Sequence, residues 1–456
     1  MSENALDRRK FLKVIGAGAA AAATTAGPVF EAFADPPGSI DDFFVFIHAA
    51  GAWDVTVGLD PRNEARGIID PATTTYVNSA PIPRWTARDL GNGEETFEIL
   101  EPPGTSFRWG PAVGSLYEIA SRCTVISGLA VNTVSHPDGT FFASTGRHLA
   151  GGKPVAASID TIVANEFGRA QLFPSVSVRY PSTYLGEHLD ARASPLRLAT
   201  VDTVSKVLGR QNYNTLTADR DAVTMLLTQE AQDLARRSQH RGVADAFALQ
   251  FESLRAIHRS DVRSVFDGAA LRAAQPSFRY NATYQSALAL NSAFAVEAMR
   301  RDLVRCVSLA SASHDTHTTN YRNQMQIQQE LFDTVTTLVR ALDATPHPTL
   351  MGTRLGDRTH ILVVSEFCRT PQINMTGGRD HYPSGSALII SPRFRGGVTF
   401  GRTDPDQLLP MPAGMFADGA RPVAPPDVLA TFLAAFGVDP RRYMRDGDVV
   451  RSILRA

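Results

Sequence analysis

The stretch HILVVSE at residues 360–366 decides the fold of this chain. Its apolar part, Ile361 to Val364, does not alternate with polar residues, so it predicts a strand that is buried on both faces. Such strands are typical of a parallel sheet that helices cover on both sides. Glu366 follows the run directly, and a charged side chain in that position is seldom left without a partner. The stretch therefore predicts a covered sheet with a polar group at the end of one strand.

Four further apolar runs repeat this pattern, at residues 43–48, 123–126, 303–310 and 387–391. Helical spacing of apolar residues fills much of the chain between them, for example over residues 325–342 and 428–436. Alternating strands and helices predict an α/β fold: a mostly parallel sheet with helices on both faces. From about residue 219 to 302 the chain is almost entirely helix-like, so we expect a helical insertion on the sheet domain.

Length and composition are those of a globular protein. The chain has 456 residues, 43% of them hydrophobic, and a formal net charge of -1. Disordered and collagen-like proteins are excluded on these values. Because there is no excess of basic residues, we expect no nucleic-acid partner. The three cysteines, Cys123, Cys306 and Cys368, are far apart in sequence, so neither a disulfide framework nor a thiolate metal site is indicated.

The first 34 residues have the features of a twin-arginine export signal. Arg8 and Arg9 precede an uncharged run from Val14 to Ala26, and small residues at 32–34 offer a cleavage site. The run is shorter than the roughly 20 residues of a membrane span, so we expect no stable span in the mature protein. We therefore expect residues 35–456 to form the mature domain, located in the periplasm or outside the cell. The twin-arginine translocase would be a partner during export.

Polar residues follow several of the predicted strands. Because the carboxyl ends of parallel strands meet at one edge of a sheet, side chains that are distant in sequence can converge there. The carboxylates and imidazoles at these positions are Asp54, His136, Asp315, His317, Glu366, Asp380 and His381.

Mixed carboxylate and imidazole ligands suit zinc, manganese or iron better than calcium. We therefore predict one or two divalent metal ions, bound by residues from this set: Asp54, Asp315, His317, Glu366, Asp380 and His381. Two ions about 4 Å apart can activate a nucleophile and stabilise a leaving oxygen in ester hydrolysis. As catalytic residues we predict His136 together with Arg369 and Arg379, whose guanidinium groups could hold a phosphate or sulfate.

Each assignment has a plainer alternative. Asp54 could cap a helix, since aspartate is a common cap. Asp315 and His317 could belong to a solvated loop. His136 could lie in a simple turn, because proline and glycine follow it closely.

One stretch also resembles a known family. Residues 365–371, SEFCRTP, followed by GGRDHYP at 377–383, are similar to the secreted domain-of-unknown-function family numbered fifteen-oh-one. Residues 315–317, 51–54 and 135–136 resemble other elements of that family. The resemblance implies the alkaline phosphatase and sulfatase superfamily, with two metal sites at the carboxyl edge of a mostly parallel sheet. It also implies metal ligation by Asp54, Asp315, His317, Glu366 and His381.

The chain departs from that superfamily in several ways: Gly51-Ala52 replaces paired glycines, Cys368 stands where glycine is commoner, and two further departures concern the chemistry. The nucleophile stays unassigned among Ser135, Thr140, Ser144 and Thr145, and Glu366-Phe367 replaces the usual Asp-His pair. We therefore expect one of two functions. The first is an exported metal-dependent hydrolase of phosphate or sulfate esters, acting on a small-molecule or polymer substrate. The second is a non-catalytic envelope binding protein that retains the fold.

Overall fold

The computed structural model describes residues 41–61, 99–168, 171–186, 189–202, 229, 233, 260–416 and 419–455. The predicted signal peptide and most of the predicted helical insertion before residue 260 lie outside these ranges. Among the helices that the structure describes, none is both long enough and apolar enough to cross a membrane.

The described strands, in chain order, are β1 Phe43–His48, β2 Cys123–Ala130, β3 Phe173–Val178, β4 Leu196–Leu198, β5 Val304–Ala310, β6 Thr359–Val364, β7 Cys368–Arg369, β8 His381–Tyr382, β9 Ser384–Ile390, β10 Val398–Gly401, β11 Gly414–Phe416 and β12 Gly419–Arg421. The described α-helices are α1 His136–Thr145, α2 Ile159–Phe167, α3 Ser260–Arg263, α4 Gly268–Ala274, α5 Ser286–Arg300, α6 Asn320–Ala344 and α7 Pro425–Ala435. Short 3-10 helices include Val55–Val57 and Pro111–Arg122.

Eight strands form the central sheet in the order β10-β2-β9-β6-β1-β5-β3-β4. Strand β1 lies parallel to both β5 and β6, and β3 lies parallel to β4 and β5. Strand β9 is antiparallel to β2 and β6, while β10 is parallel to β2. Seven strands of this sheet therefore run one way and β9 runs the other. The predicted α/β fold with a mostly parallel sheet is confirmed.

Helices cover both faces of the sheet, as the strand at residues 43–48 shows. All six residues of β1 are buried. Phe43, Val45 and Ile47 pack in a core that includes Phe294 of α5 and Leu331 of α6. The alternate side chains point to the opposite core, where Phe44 packs against Phe432 of α7 with ring centroids 5.7 Å apart. Burying each aromatic side chain contributes about 1.5–3 kcal/mol, so this strand anchors both halves of the fold.

Strands β1, β2, β5 and β6 end at one edge of the sheet, here called the carboxyl edge. Backbone strain collects in the loops at this edge. Six of the described residues other than glycine have a positive φ, and four of them, Ala52, Asn132, Arg179 and Thr319, lie in the loops that follow β1, β2, β3 and β5. Left-handed backbone at such residues persists only where surrounding contacts enforce it, and it concentrates at functional sites.

Candidate functional site

Three imidazoles and a carboxylate converge at the carboxyl edge. Ligand atoms of His136, Asp315 and His381 all lie within 4.8 Å of one another. His317 joins them, because its Nε2 atom is 2.9 Å from His381 Nε2 and 3.2 Å from Asp315 Oδ1. We call His136, Asp315, His317 and His381 the histidine–aspartate cluster.

Different elements bring these four residues together. His136 is the first residue of α1, directly after the loop that leaves β2. Asp315 and His317 lie in the loop between β5 and α6. His381 lies in β8, which pairs with β7 so that Arg369 is opposite His381. The cluster therefore forms only when the chain has folded, since its members span about 250 positions of the sequence.

Each imidazole is held through its Nδ1 atom by a hydrogen-bond acceptor. His136 Nδ1 lies 2.7 Å from Glu366 Oε1, and His317 Nδ1 lies 2.9 Å from Asp380 Oδ1. His381 Nδ1 lies 2.8 Å from the carbonyl oxygen of Val134. Carbonyl and ionised carboxylate oxygens only accept, so the proton of each neutral ring must sit on Nδ1. The unprotonated Nε2 atoms then face the centre of the cluster.

The Nε2 atom of His136 is buried and has no hydrogen-bond partner among the described residues. A buried polar atom without a partner is unfavourable by about 1–3 kcal/mol. Its nearest charged neighbour is Asp315 Oδ1, at 3.7 Å. The Nε2 lone pairs of His317 and His381 and the carboxylate of Asp315 lie around this atom. Together they leave a position that favours a cation.

Glu366 is the buried anchor of His136. Its Oε1 atom accepts hydrogen bonds from the Gly51 amide at 2.7 Å and from His136, and its Oε2 atom lies 3.2 Å from His48 Nε2. Burial alone would raise the pKa of Glu366, but the charge of His48 and the hydrogen bonds from His136 and His48 hold it well below its usual value. Glu366 was predicted as a metal ligand. The structure places it behind His136, with both carboxylate oxygens occupied.

Asp380 takes the corresponding place behind His317. The hydrogen bond from His317 lowers the pKa of Asp380, and Asn374 Nδ2 donates to the same Oδ1 atom at 3.2 Å. Asn374 also donates to the carbonyl oxygen of His317 at 3.1 Å. Asp380 was predicted as a metal ligand, and in the structure it orients a histidine of the cluster instead of facing its centre.

Arg369 lies fully buried beneath the cluster. Its guanidinium donates to Asp315 Oδ1 at 2.6 Å and to the carbonyl oxygens of Gly51 at 2.5 Å and Ala52 at 3.0 Å. Burial would raise the pKa of Asp315, but the hydrogen bond and charge of Arg369 keep it lowered. This placement favours a role in positioning Asp315 over the predicted contact with an ester oxyanion.

Asp54 and Arg379 lie apart from the cluster and pair with each other. Arg379 Nε is 3.3 Å from Asp54 Oδ2, and both side chains are buried. Asp54 also accepts hydrogen bonds from the Thr56 hydroxyl at 2.6 Å and from Asn320 Nδ2 at 2.7 Å. With donors on both oxygens, Asp54 caps the short helix at residues 55–57, as the plainer alternative expected. Neither the predicted ligand role of Asp54 nor the predicted anion-binding role of Arg379 fits this placement.

Two further histidines, His48 and His314, lie at this edge and were not among the predicted site residues. His48 is the last residue of β1 and contacts Glu366. His314 is fully buried, its Nδ1 atom lies 3.1 Å from the Ala50 carbonyl oxygen, and burial lowers its pKa to about 4. His48 lies at the end of a central parallel strand, and this position could have indicated that it belongs among the residues of the candidate site.

The four possible nucleophiles differ in accessibility. Ser144 and Thr145 are buried, and both hydroxyls donate to the carbonyl oxygen of Phe141. Thr140 lies further along α1. Ser135 is exposed at the N-terminus of α1, and its hydroxyl makes no capping hydrogen bond. It lies directly between Val134, whose carbonyl holds His381, and His136.

Comparisons with solved structures find only distant similarity. The structure described as Ps i-CgsB in complex with k-i-k-neocarrahexaose has a TM-score of 0.34 and 10% identity, covering 90% of this chain and 75% of that chain. Ps i-CgsB alone has a TM-score of 0.33 and 10% identity, with the same coverage. BT4656 in complex with its substrate D-glucosamine-2-N,6-O-disulfate has a TM-score of 0.31 and 8% identity, covering 90% of this chain and 82% of that chain. Similarity at this level does not assign chemistry to the cluster.

No curated protein matches the sequence significantly. The family model described as "Protein of unknown function (DUF1501)" matches residues 105–449, which is well over half of the chain and includes all four residues of the cluster. The chain therefore belongs to the DUF1501 family of proteins of unknown function.

Proposed function

We propose that this protein binds one divalent cation at the histidine–aspartate cluster and hydrolyses phosphate or sulfate esters. The observation that carries the proposal is the shared orientation of the three imidazoles. Every Nδ1 atom is held by an acceptor, so that every Nε2 lone pair faces the others and Asp315. Metal-binding histidines are typically oriented by such a hydrogen bond from the other ring nitrogen.

The residues present fit a cation of the zinc class. Three imidazole nitrogens and one carboxylate oxygen are a donor set that suits zinc, manganese or iron, whereas calcium and magnesium prefer oxygen ligands. The buried, unpartnered Nε2 atom of His136 gives independent support. We propose one ion, because the described residues contain one group of mutually close ligand atoms, His136, Asp315 and His381, and His317 adjoins it.

A divalent cation at this position would act as a Lewis acid that stabilises negative charge on the oxygens of an ester. Glu366 and Asp380 hold two of the rings in place, and Arg369 keeps Asp315 ionised. We propose Ser135 as the attacking serine, since it is exposed and directly precedes His136 in the sequence. Membership of the alkaline phosphatase and sulfatase superfamily is part of this proposal, and the position of the cluster at the carboxyl edge supports it.

The cellular location of the protein is also part of the proposal. The paired Arg8 and Arg9 before an uncharged run support export by the twin-arginine translocase to the periplasm or beyond. Replacing both arginines by lysine should leave the protein in the cytoplasm. Normal export of that double variant would overturn this part of the proposal.

An ester assay tests the hydrolase. Purified protein supplied with zinc or manganese is assayed on an aryl phosphate and an aryl sulfate, beside the variants Asp315→Ala and Ser135→Ala. We expect turnover that chelation abolishes, and a loss of about 100-fold or more in kcat for Ser135→Ala. Ser121→Ala is the matched control, because Ser121 is also exposed but precedes β2 at the opposite edge. Cation binding without turnover of either ester would overturn the hydrolase.

One observation favours the second function, a non-catalytic binding protein. Arg369 and Arg379, the predicted anion-binding arginines, are both buried and donate to carbonyl oxygens of the chain. Neither guanidinium is free to meet an ester. If the assay shows a bound ion and no turnover, this second function replaces the first.

A further inference from the structure

A hairpin stands beside the start of α1, close to the cluster. Asp138, two residues after His136, accepts hydrogen bonds from His148 Nδ1 at 2.9 Å and from the Leu149 amide at 2.8 Å. These bonds turn the chain back along α1. Ala150 and Lys153 then pair through two backbone hydrogen bonds of 3.0 and 3.1 Å.

The tip of this hairpin projects into open space. Gly151 and Gly152 have φ of 56° and 74°, as a tight two-residue hairpin turn requires, and a Cβ on either would meet nothing within 4 Å. Lys153 is exposed and makes no side-chain hydrogen bond or ion pair with any described residue. The hairpin therefore presents an unpaired cation near the N-terminus of α1.

Two further cations lie near the carboxyl ends of β3 and β4: Arg179 follows β3, and Arg197 is the middle residue of the three-residue strand β4. Arg179 is exposed, directly after β3, and its side chain has no partner in the part of the chain that the structure describes. The next residue, Tyr180, has its ring 5.3 Å from that of His48, which in turn contacts Glu366, the carboxylate behind His136. In β4, Arg197 is exposed and donates to the Ser182 carbonyl oxygen at 2.5 Å instead of to a carboxylate.

Two described carboxylates in this region already have partners. Asp138 is already paired with His148. Asp160 is buried and accepts hydrogen bonds from Ser182 at 2.7 Å and Ser175 at 3.2 Å. We call Lys153, Arg179 and Arg197 the cationic rim. All three side chains are cationic and exposed, although the chain as a whole carries a formal charge of -1.

We propose that the cationic rim binds a polyanionic glycan chain that carries several sulfate or phosphate groups. One group would reach the cluster while its neighbours along the chain contact the rim. This proposal rests on the proposed function for the group at the cluster, but attraction by the rim needs no metal ion. Charges at the rim of a binding surface act mainly on association rate and on salt dependence.

Exposed apolar side chains near the rim favour a glycan over a lipid surface. Val155 and Leu185 are 45% and 42% exposed, so each is more than half covered by its own surroundings. Side chains that insert into a membrane project further, and tryptophan or tyrosine usually accompanies them at the interface. Half-covered aliphatic groups instead offer shallow contact to the C–H faces of sugar rings.

Binding to dextran sulfate tests the proposal, with neutral dextran of the same length as the comparison. We expect binding to dextran sulfate alone, weakening as salt rises, and the same affinity within about twofold after chelation. The double variant Lys153→Ser/Arg179→Asn should bind about tenfold more weakly. Asparagine is chosen at position 179 because it tolerates the φ of 60° found there.

Arg263→Ser is the matched control. Arg263 is also exposed, but the neighbouring Ser264 is bonded to Arg301, just before the start of β5 at the opposite edge. Its affinity for dextran sulfate should stay within about twofold of wild type. Equal binding of neutral dextran, unchanged affinity in the double variant, or binding to anionic phospholipid vesicles but not to dextran sulfate would overturn the proposal. If the wild-type protein binds dextran sulfate but binds no metal ion at the cluster, the proposed function is overturned and the glycan proposal stands.

Discussion

The Nε2 atoms of His317 and His381 lie 2.9 Å apart. Because the Nδ1 atom of each ring is committed to an acceptor, neither Nε2 carries a proton when both rings are neutral. Two facing lone pairs at this distance repel each other unless a cation or a shared proton lies between them. Burial lowers the pKa of His381, which works against the shared proton. This relationship is the reason for assigning a cation to the cluster.

The protonation pattern itself is a prediction. Nitrogen-15 NMR of histidine side chains should show His136, His317 and His381 protonated on Nδ1. Adding zinc should shift the three Nε2 resonances and leave the Nδ1 protons in place, because those protons lie on the side facing Glu366, Asp380 and Val134. Protonation of Nε2 in the zinc-loaded protein at any of the three rings would contradict the arrangement.

Glu366 should act on the cation without touching it. In Glu366→Gln the charge behind His136 is lost and the ring is less firmly held, so we expect cation affinity to fall about 10–100-fold by titration calorimetry. Glu330→Gln is the matched control, because Glu330 is also a buried carboxylate but accepts backbone hydrogen bonds from residues 283–285. That variant should lose stability and keep its cation affinity. An equal loss of affinity in both variants would show that Glu366 is only structural.

Gly378 lies where a side chain cannot fit. A Cβ there would meet the carbonyl oxygen of His317 at 1.8 Å and its carbonyl carbon at 2.0 Å, both backbone atoms. Gly378→Ala should therefore displace His317, weaken cation binding and lower the free energy of unfolding by about 1–3 kcal/mol or more. In Gly414→Ala the new atom meets only a ring carbon of Phe400 at 3.9 Å, so that variant should behave like wild type in both measurements. Wild-type cation affinity in Gly378→Ala would contradict the placement of His317.

A buried ion cluster at the opposite end of β1 should make stability depend on pH. Asp42 Oδ2 lies 2.7 Å from the Arg393 guanidinium and 3.4 Å from His360 Nε2. Burial alone would raise the pKa of Asp42, but the hydrogen bonds and charges of His360 and Arg393 lower it well below its usual value. The ionised carboxylate therefore contributes stability above the unfolded pKa of about 3.9, and this contribution is lost as the pH falls towards the folded pKa.

Asp42→Asn tests that dependence. We expect the free energy of unfolding to fall by about 3 kcal/mol at pH 7, and the difference from wild type to shrink in urea titrations at about pH 3 or below. Asp446→Asn removes an exposed carboxylate and should change stability by less than about 0.5 kcal/mol at either pH. A difference for Asp42→Asn that stays the same at both pH values would argue against a lowered pKa.

The strands that sequence reasoning found are those with uninterrupted apolar runs. Residues 43–48 coincide with β1, and the run at 360–365 differs from β6 by one residue at each end. Strand β3, with the sequence FPSVSV, was missed because two serines interrupt it. Ser175 donates to the buried Asp160 and Ser177 to the carbonyl oxygen of Tyr180. Asp160 belongs to another element, α2, so the local pattern does not reveal the partner of Ser175. The antiparallel direction of β9 was equally hidden, because burial on both faces produces the same pattern in either direction.

The candidate site could likewise be predicted only in part from the sequence. Position after a strand was enough to select Asp315, His317 and His381, which the fold brings together. It was not enough to separate side chains that face the centre of the cluster from the carboxylates that hold its histidines from behind, Glu366 and Asp380. That distinction depends on which oxygens the neighbouring loops already occupy. The burial of Arg369 against the loops that follow β1 and β5 is likewise a property of the folded chain alone.

Metal content is the most direct test of the central claim. The purified protein is dialysed against zinc and then against buffer without metal, and its metal content is measured by mass spectrometry beside that of His381→Ala and Asp315→Ala. We predict one ion per wild-type chain and a loss of affinity of about 100-fold or more in each variant, since each removes one of four ligands. A wild-type protein without bound metal, or the same metal content in all three proteins, would contradict the account.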